Sequence, residues 1–275
     1  MRLDASRALV LDILFFARNV PQFPVERTMN LGHLARCRTR AEMRISWCVL
    51  FCKAYAMVAN EFPELRRCYL RWPWPHLFQH DASTATIAIN RRQNGQDRLF
   101  LGQLWQPEST SLAGLQSRLS QLQQQPLEEV FSRQVRFSRF PTWLRRLIWW
   151  WRIHLSPHRR ARRLGTFGLS VLAGEGAFNR HHLHFLTTSV TYGPLEESGK
   201  MLVTLLCDHR VLDGMTAARA LNQLESVLQG PITRELCALG SSEHSDRSTI
   251  IRRPEAYRPA TSPSSSVCCR PSRLN

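Results

Sequence analysis

The chain has 275 residues, 43% of them hydrophobic, and a formal net charge of +16. That length holds one large domain or two small ones, and no stretch reaches the about 18 uninterrupted apolar residues of a membrane-crossing helix. Nearly all the excess charge is arginine, since Lys53 and Lys200 are the only lysines. Ser6 to Asn19 carries Leu9, Ile13 and Phe16 at helical spacing. Pro21 and Pro24 break that pattern, and Phe23 to Met29 reads as a strand. Leu31 to Arg40 predicts a short helix and Ile45 to Phe62 a long, mostly buried one. Trp72-Pro73-Trp74-Pro75 is a stiff loop, because proline restricts both itself and its predecessor. Thr84 to Asn90 alternates like a strand, Asn94-Gly95 is a turn, and Arg98 to Trp105 is the returning strand.

Ser111 to Gln124 places Leu112, Leu115, Leu119 and Leu122 on one helical face, with a solvated glutamine run near its end. After an arginine-rich stretch, Phe167 to Leu172 and His184 to Tyr192 read as strands and Glu197 to Gly199 as a turn. Met201 to Cys207 is apolar enough for a buried strand. Met215 to Leu228 spaces Ala218, Leu221, Leu224 and Leu228 as a helix. Past Leu236 the composition shifts to serine, proline and arginine. Residues 1–236 are therefore expected to form one domain and 237–275 a disordered tail.

The apolar run Ala8 to Ala17 is interrupted by Asp12 and no small-residue cleavage pattern follows, so a secretory leader is not expected and a cytoplasmic chain is. The eight cysteines show no C-x-x-C pair and no regular spacing. Neither a disulfide framework nor a zinc site is predicted from them. Cys48 and Cys52 lie four apart on the long buried helix, where cysteine behaves as a small hydrophobe.

The densest chemistry lies in Asp208-His209-Arg210-Val211-Leu212-Asp213-Gly214. His209 falls where a strand ends, and Asp213-Gly214 open a helix. A histidine at such a junction can be held in one tautomer and aimed at a cleft as a general base. The plainer alternative is a histidine that closes a loop. Asp213 suits either the positioning of the site or a helix cap, and Gly214 suits close backbone approach. Asp208 and Arg210 read equally as part of the motif or as a surface ion pair. His181, His182 and His184 lie close together but without a carboxylate pair, so they read as a strand-entry loop and no metal site is predicted.

The run from Asp208 to Gly214, followed by Ala217-Ala218-Arg219, resembles the active-site stretch of the dihydrolipoamide acyltransferases, the E2 catalytic domains of 2-oxoacid dehydrogenase complexes. Chloramphenicol acetyltransferase shares that fold and the H-x-x-x-D-G core. Gly165-Thr166-Phe167-Gly168-Leu169-Ser170 is similar to the family's G-T-F-T-I-S segment, and Lys53-Ala54 with Glu61-Phe62-Pro63-Glu64-Leu65 to its K-A…E-F-P-E-L helix. All three occur in the family's order, from about residue 20 to about residue 230.

The resemblance implies an α/β fold of the chloramphenicol acetyltransferase kind, a two-layer sandwich with a mixed sheet and packed helices. It implies a homotrimer with the active site between subunits, so that His209 of one chain faces Ser170 of its neighbour. His209 would be the general base and Ser170 the donor to the oxyanion, with Asp213 positioning the site. The donor would be a coenzyme A thioester or another acyl thioester, and the acceptor a small or carrier-borne thiol, hydroxyl or amine. The family needs no metal. Two departures stand out. After Ser170 the family's Asn-Leu-Gly is replaced by Val171-Leu172-Ala173-Gly174, and the interval from Ser170 to His209 is short for an E2. The chain also carries no lipoyl domain or lipoyl attachment, no E3-binding domain and no alanine-proline linker. It is therefore expected to act alone or, as an alternative, to be a non-catalytic E2-like scaffold.

Between Arg133 and Arg163 stand ten arginines and no carboxylate. Within Trp143 to Arg163, Leu144, Leu147, Ile148, Trp151 and Leu155 can share one helical face while Arg145, Arg146, Arg152 and Arg159 lie elsewhere. The ordinary reading is an amphipathic helix packed on the core, followed by a solvated arginine loop. Tryptophan with arginine also suits peripheral contact with an anionic membrane, or the phosphates of coenzyme A. Nucleic acid is the weakest partner, since no recognisable nucleic-acid module is present.

Overall fold

A computed structural model describes residues 5–93 and 95–239. The expected tail falls outside them, except that the last helix runs on to Leu239 and so carries the folded domain slightly past the expected boundary. In chain order the elements are α1 (Ala5–Ala17), β1 (Gln22–Asn30), α2 (Gly32–Arg40), α3 (Trp47–Glu61), β2 (Arg67–Leu70), β3 (His76–Gln79), β4 (Thr84–Gln93) and β5 (Gln96–Trp105). They continue with α4 (Leu112–Gln124), α5 (Leu127–Val130), α6 (Ser132–Ser138), α7 (Thr142–His154), α8 (Pro157–Leu164), β6 (Phe167–Leu169), β7 (Thr188–Tyr192), β8 (Lys200–Asp208), α9 (Gly214–Val227) and α10 (Thr233–Leu239).

Six strands form one mixed sheet in the order β1-β8-β7-β6-β4-β5, and β2 and β3 pair separately. β6 is parallel to both its neighbours, β4 and β7, while the outer pairings are antiparallel. Alternation sends Ala85, Ile87, Phe167, Leu169, Val190, Val203 and Leu205 to one face. There they join the main core with α3, α4 and α9. Ser46 and Ser111 cap α3 and α4 by accepting from Val49 N–H and Gly114 N–H. Sheet plus helical layer is the α/β architecture expected from the sequence.

The opposite face carries a second, smaller core. Leu9, Trp149, Ile153, Leu164, Phe185 and Leu186 cluster there, with Leu101 of β5 packed against them. α1, α7 and α8 thus add a partial third layer over the β4–β5 edge. Two expected strands are shorter than their apolar runs. β7 begins at Thr188 because Phe185 and Leu186, apolar like a strand, serve the second core from a loop. β6 ends at Leu169, and Leu172 beyond it is exposed.

The segment Gly165 to Gly168 is built to wedge β6 between its neighbours. Gly165 ends α8 at φ +87°, and a Cβ there would collide with the Thr86 hydroxyl. Thr166 accepts from Thr84 N–H at 2.9 Å, and a Cβ on Gly168 would press on Ser189 Oγ. Lys53, buried in α3, pairs with Glu235 of α10 at 2.5 Å, and Glu235 also accepts from Leu112 N–H. The second and third sequence motifs therefore owe most of their residues to packing, with Ser170 the exception.

Candidate active site

His209 stands in the turn between β8 and α9. Its backbone N–H donates to Pro21 carbonyl at 2.9 Å, which ties the turn to the start of β1. Its Nδ1–H donates to Leu212 carbonyl at 3.1 Å, and its ring lies 4.5 Å from that of Phe23. A proton held on Nδ1 leaves Nε2 as the free lone pair, which is the form a general base requires. The side chain is half exposed, so that lone pair is accessible.

Asp208 is buried and receives a bidentate hold from Arg210, with Nε to Oδ1 at 2.9 Å and Nη2 to Oδ2 at 2.7 Å. Arg210 N–H donates to the same carboxylate, and the guanidinium lies 4.6 Å from the Tyr69 ring. The surface ion pair of the sequence reading is thus corrected: one partner is interior, and the pair braces the turn. Asp213 occupies the N-cap position of α9 but makes no capping hydrogen bond, and its carboxylate, 87% exposed, lies 3.9 Å from His209 Nδ1. Gly214 has open space where a Cβ would stand, so close backbone approach is not its reason within one chain.

Ser170 follows β6, its N–H donating to Val190 carbonyl at 3.2 Å. Register puts Cys207 beside Thr188 and Thr188 beside Phe167, so His209 is level with Gly165, five residues before Ser170. With β7 between their strands, the two residues are about 15–20 Å apart at opposite ends of the sheet. One chain does not bring His209 and Ser170 together. At the Ser170 end a cavity of about 540 Å³ opens between α3, β4 and β6, lined by Arg38, Arg44, Trp47, Leu169, Val171 and Tyr192 among others. Burial and the neighbouring Arg44 pull Arg38 below its ordinary value.

His182 and His184 lie in the loop before β7, as read from the sequence. His182 Nε2 meets Ser189 Oγ at 2.8 Å, and Gln22 donates to His184 carbonyl. Burial first, and a neighbouring arginine (His80, His154) or histidine (His182, His184) second, push His182, His80 and His154 down to about 4 and His184 to about 3. All four are neutral in the folded chain near neutral pH. The unfolded chain takes up protons on them below about 6.5 while the folded chain resists until about 4, so folding stability is full above 6.5 and is lost as pH falls through that window. The urea midpoint is expected to fall progressively between pH 6.5 and 4, and a midpoint flat across that range would contradict the burial of these rings. Among the described residues no three His, Cys, Asp or Glu side chains gather as a metal site.

The stretch from Thr187 to Leu236, which contains β7, β8, the His209 turn and α9, matches the family model of the 2-oxoacid dehydrogenases acyltransferase catalytic domain. No curated protein matches the chain in sequence. Among solved structures, a probable dihydrolipoamide acetyltransferase from Listeria monocytogenes superposes with a TM-score of 0.60 at 15% identity, covering 83% of this chain and 93% of the other. The truncated catalytic core of a 2-oxoacid dehydrogenase complex from Thermoplasma acidophilum gives 0.61 at 16% identity, covering 84% and 98%. The fold is that of an E2 catalytic core. A third E2 structure is the Azotobacter vinelandii dihydrolipoamide acetyltransferase, with a TM-score of 0.61, 15% identity and coverage of 84% and 90%. Its catalytic mechanism was investigated at a serine, a histidine and an asparagine, the last four residues after the histidine. In that E2 the serine precedes the histidine by 52 residues, whereas Ser170 precedes His209 by 39.

Proposed function

We propose that this chain is an acyltransferase that moves an acyl group from a coenzyme A-type thioester to a thiol, hydroxyl or amine, at sites completed between copies of the chain. The carrying observation is the pairing of a tautomer-fixed, outward-facing His209 with a serine at the far end of the same sheet. His209 Nε2 takes the proton of the acceptor as its heteroatom attacks the thioester carbonyl. The resulting oxyanion is stabilised by the hydroxyl of Ser170 from a neighbouring copy. Collapse breaks the carbon–sulfur bond, and the leaving thiolate takes the proton back from His209. No group is covalently attached to the protein, so neither Ser170 nor any cysteine acts as nucleophile. Arg38 and Arg44, in the wall of the cavity that Leu169 and Val171 also line, supply cations for the phosphates of such a donor. A cyclic trimer, as the E2 resemblance implies, would give each copy one His209 contact and one Ser170 contact.

Mixing two defective proteins tests this directly. Ser170→Ala should lose about 10²–10³ in turnover with donor affinity nearly unchanged, because the hydroxyl acts on the transition state. His209→Ala, treated below, should be at least as poor. When the two are mixed through mild dissociation and reassembly, roughly a quarter of the interfaces regain a wild-type histidine opposite a wild-type serine, and activity should rise accordingly. If the mixture stays as inactive as its parents while co-assembly is verified by mass, the shared site is wrong.

A further inference from the structure

α7 is packed inside out. Its inward face presents Arg145, Trp149 and Ile153, the arginine held by buried Asp12 of α1 through Nε to Oδ2 at 2.7 Å and Nη2 to Oδ1 at 3.3 Å. Its outward face bears Trp143, Leu147, Trp151 and Leu155 at successive four-residue steps, 68%, 56%, 40% and 45% exposed. Of the apolar face expected to pack, Leu147, Trp151 and Leu155 face solvent while Leu144 and Ile148 are half-buried, and the arginine loop expected after the helix is itself a helix, α8. A polar anchor inward and an apolar stripe outward is the reverse of an ordinary surface helix. Such a stripe marks a surface that meets another phase or partner.

The charges around the stripe decide which. Arg133, Arg136, Arg139, Arg159, Arg162 and Arg163 are all exposed, in or next to α6 and α8, the helices that precede and follow α7. None of them pairs with a carboxylate among the described residues, and the stretch from Arg133 to Arg163 contains none. The Arg159 guanidinium stacks 5.1 Å from the Trp151 ring, beside the stripe. Indole rings with arginines at their rim are suited to the boundary between anionic headgroups and acyl chains. A second copy of this chain is the poorer occupant, because it would bring the same arginines against themselves.

We propose that the outward face of α7 seats this protein peripherally on an anionic membrane surface, with Trp143, Leu147 and Trp151 entering the interfacial layer. No helix among the described residues is long and apolar enough to cross a membrane, so the attachment is reversible. Arg160 links this surface to the turn that carries His209. From α8 it donates to Tyr69 and Phe185 carbonyls, and Tyr69 stacks with Arg210 of the His209 turn. The seated face and that turn are thus parts of one braced region.

The test is co-sedimentation of the full chain with vesicles of phosphatidylcholine alone or with about a third phosphatidylserine, at low and physiological salt. Expected are binding to the anionic vesicles only, weakening with salt, and at least about a tenfold lower partition for Trp143→Ser with Trp151→Ser. Because those side chains are exposed, circular dichroism should be unchanged. Arg159→Glu with Arg163→Glu should weaken binding independently, which guards against a misfolded first variant. Equal binding to both vesicle types, no binding at low salt, or wild-type binding by both variants would overturn the proposal. A change of oligomeric mass in the tryptophan variant, with vesicle binding retained, would assign the stripe to contacts between copies.

Discussion

Replacing His209 with alanine should lower acyl transfer by about 10²–10⁴-fold, the range that a positioned general base contributes. The fold should be almost untouched, since the ring is half exposed and its contacts are one hydrogen bond to Leu212 carbonyl and one ring contact with Phe23. The backbone bond from His209 N–H to Pro21 carbonyl survives the change. Thiol release from a panel of acyl-coenzyme A donors, with thiol, hydroxyl and amine acceptors, gives the rate. Turnover close to wild type in a correctly folded variant would remove His209 from the mechanism. Asp213→Asn is the informative companion. Its carboxylate stands 3.9 Å from Nδ1 without a bond to it, so the substitution should cost far less turnover than the loss of the imidazole.

Removing Asp12 should be the most damaging change to stability. Asp12 and Arg145 are both buried, and Arg146 stands 3.8 Å from the same carboxylate. Asp12→Ala leaves the Arg145 guanidinium inside without its counter-charge, a loss of about 3–5 kcal/mol by analogy with other broken buried pairs. Exchanging both partners, as in Asp12→Leu with Arg145→Met, should recover most of it, because a buried ion pair is seldom better than well-packed apolar groups. Chemical denaturation of the single and double variants measures the difference. A double variant no better than the single one would mean that α7 is held chiefly by something other than this pair.

This pair also shows where sequence reasoning stops. Local patterns were enough for α3 and α9, whose apolar spacing is regular, and for β4 and β5, which alternate around an Asn-Gly turn. The four-residue strands β2 and β3 are too short to show periodicity, and the Trp-Pro run between them reads only as a loop. The orientation of α7 was illegible because Arg145 turns inward only where a carboxylate meets it. That carboxylate lies 133 residues away in α1, where it reads merely as an interruption in an apolar run. At the candidate site, motif spacing located the His209 turn and Ser170 separately. Their distance from one another depends on the direction of β6 and β8 in the sheet, which no short motif records. The burial of Asp208 was missed for a similar reason, since β8 must be interior at its last residue for Arg210 to serve as its internal counter-ion.

The reversed packing of α7 separates two kinds of selection along a single helix. Changes at Arg145, Trp149 or Ile153 act on how much folded protein a cell keeps, whereas changes at Trp143, Leu147 or Trp151 leave abundance alone. Across a population of related chains, a charged residue in this helix can therefore be the immovable one while Trp143 and Trp151 drift, wherever the surface they serve is no longer used.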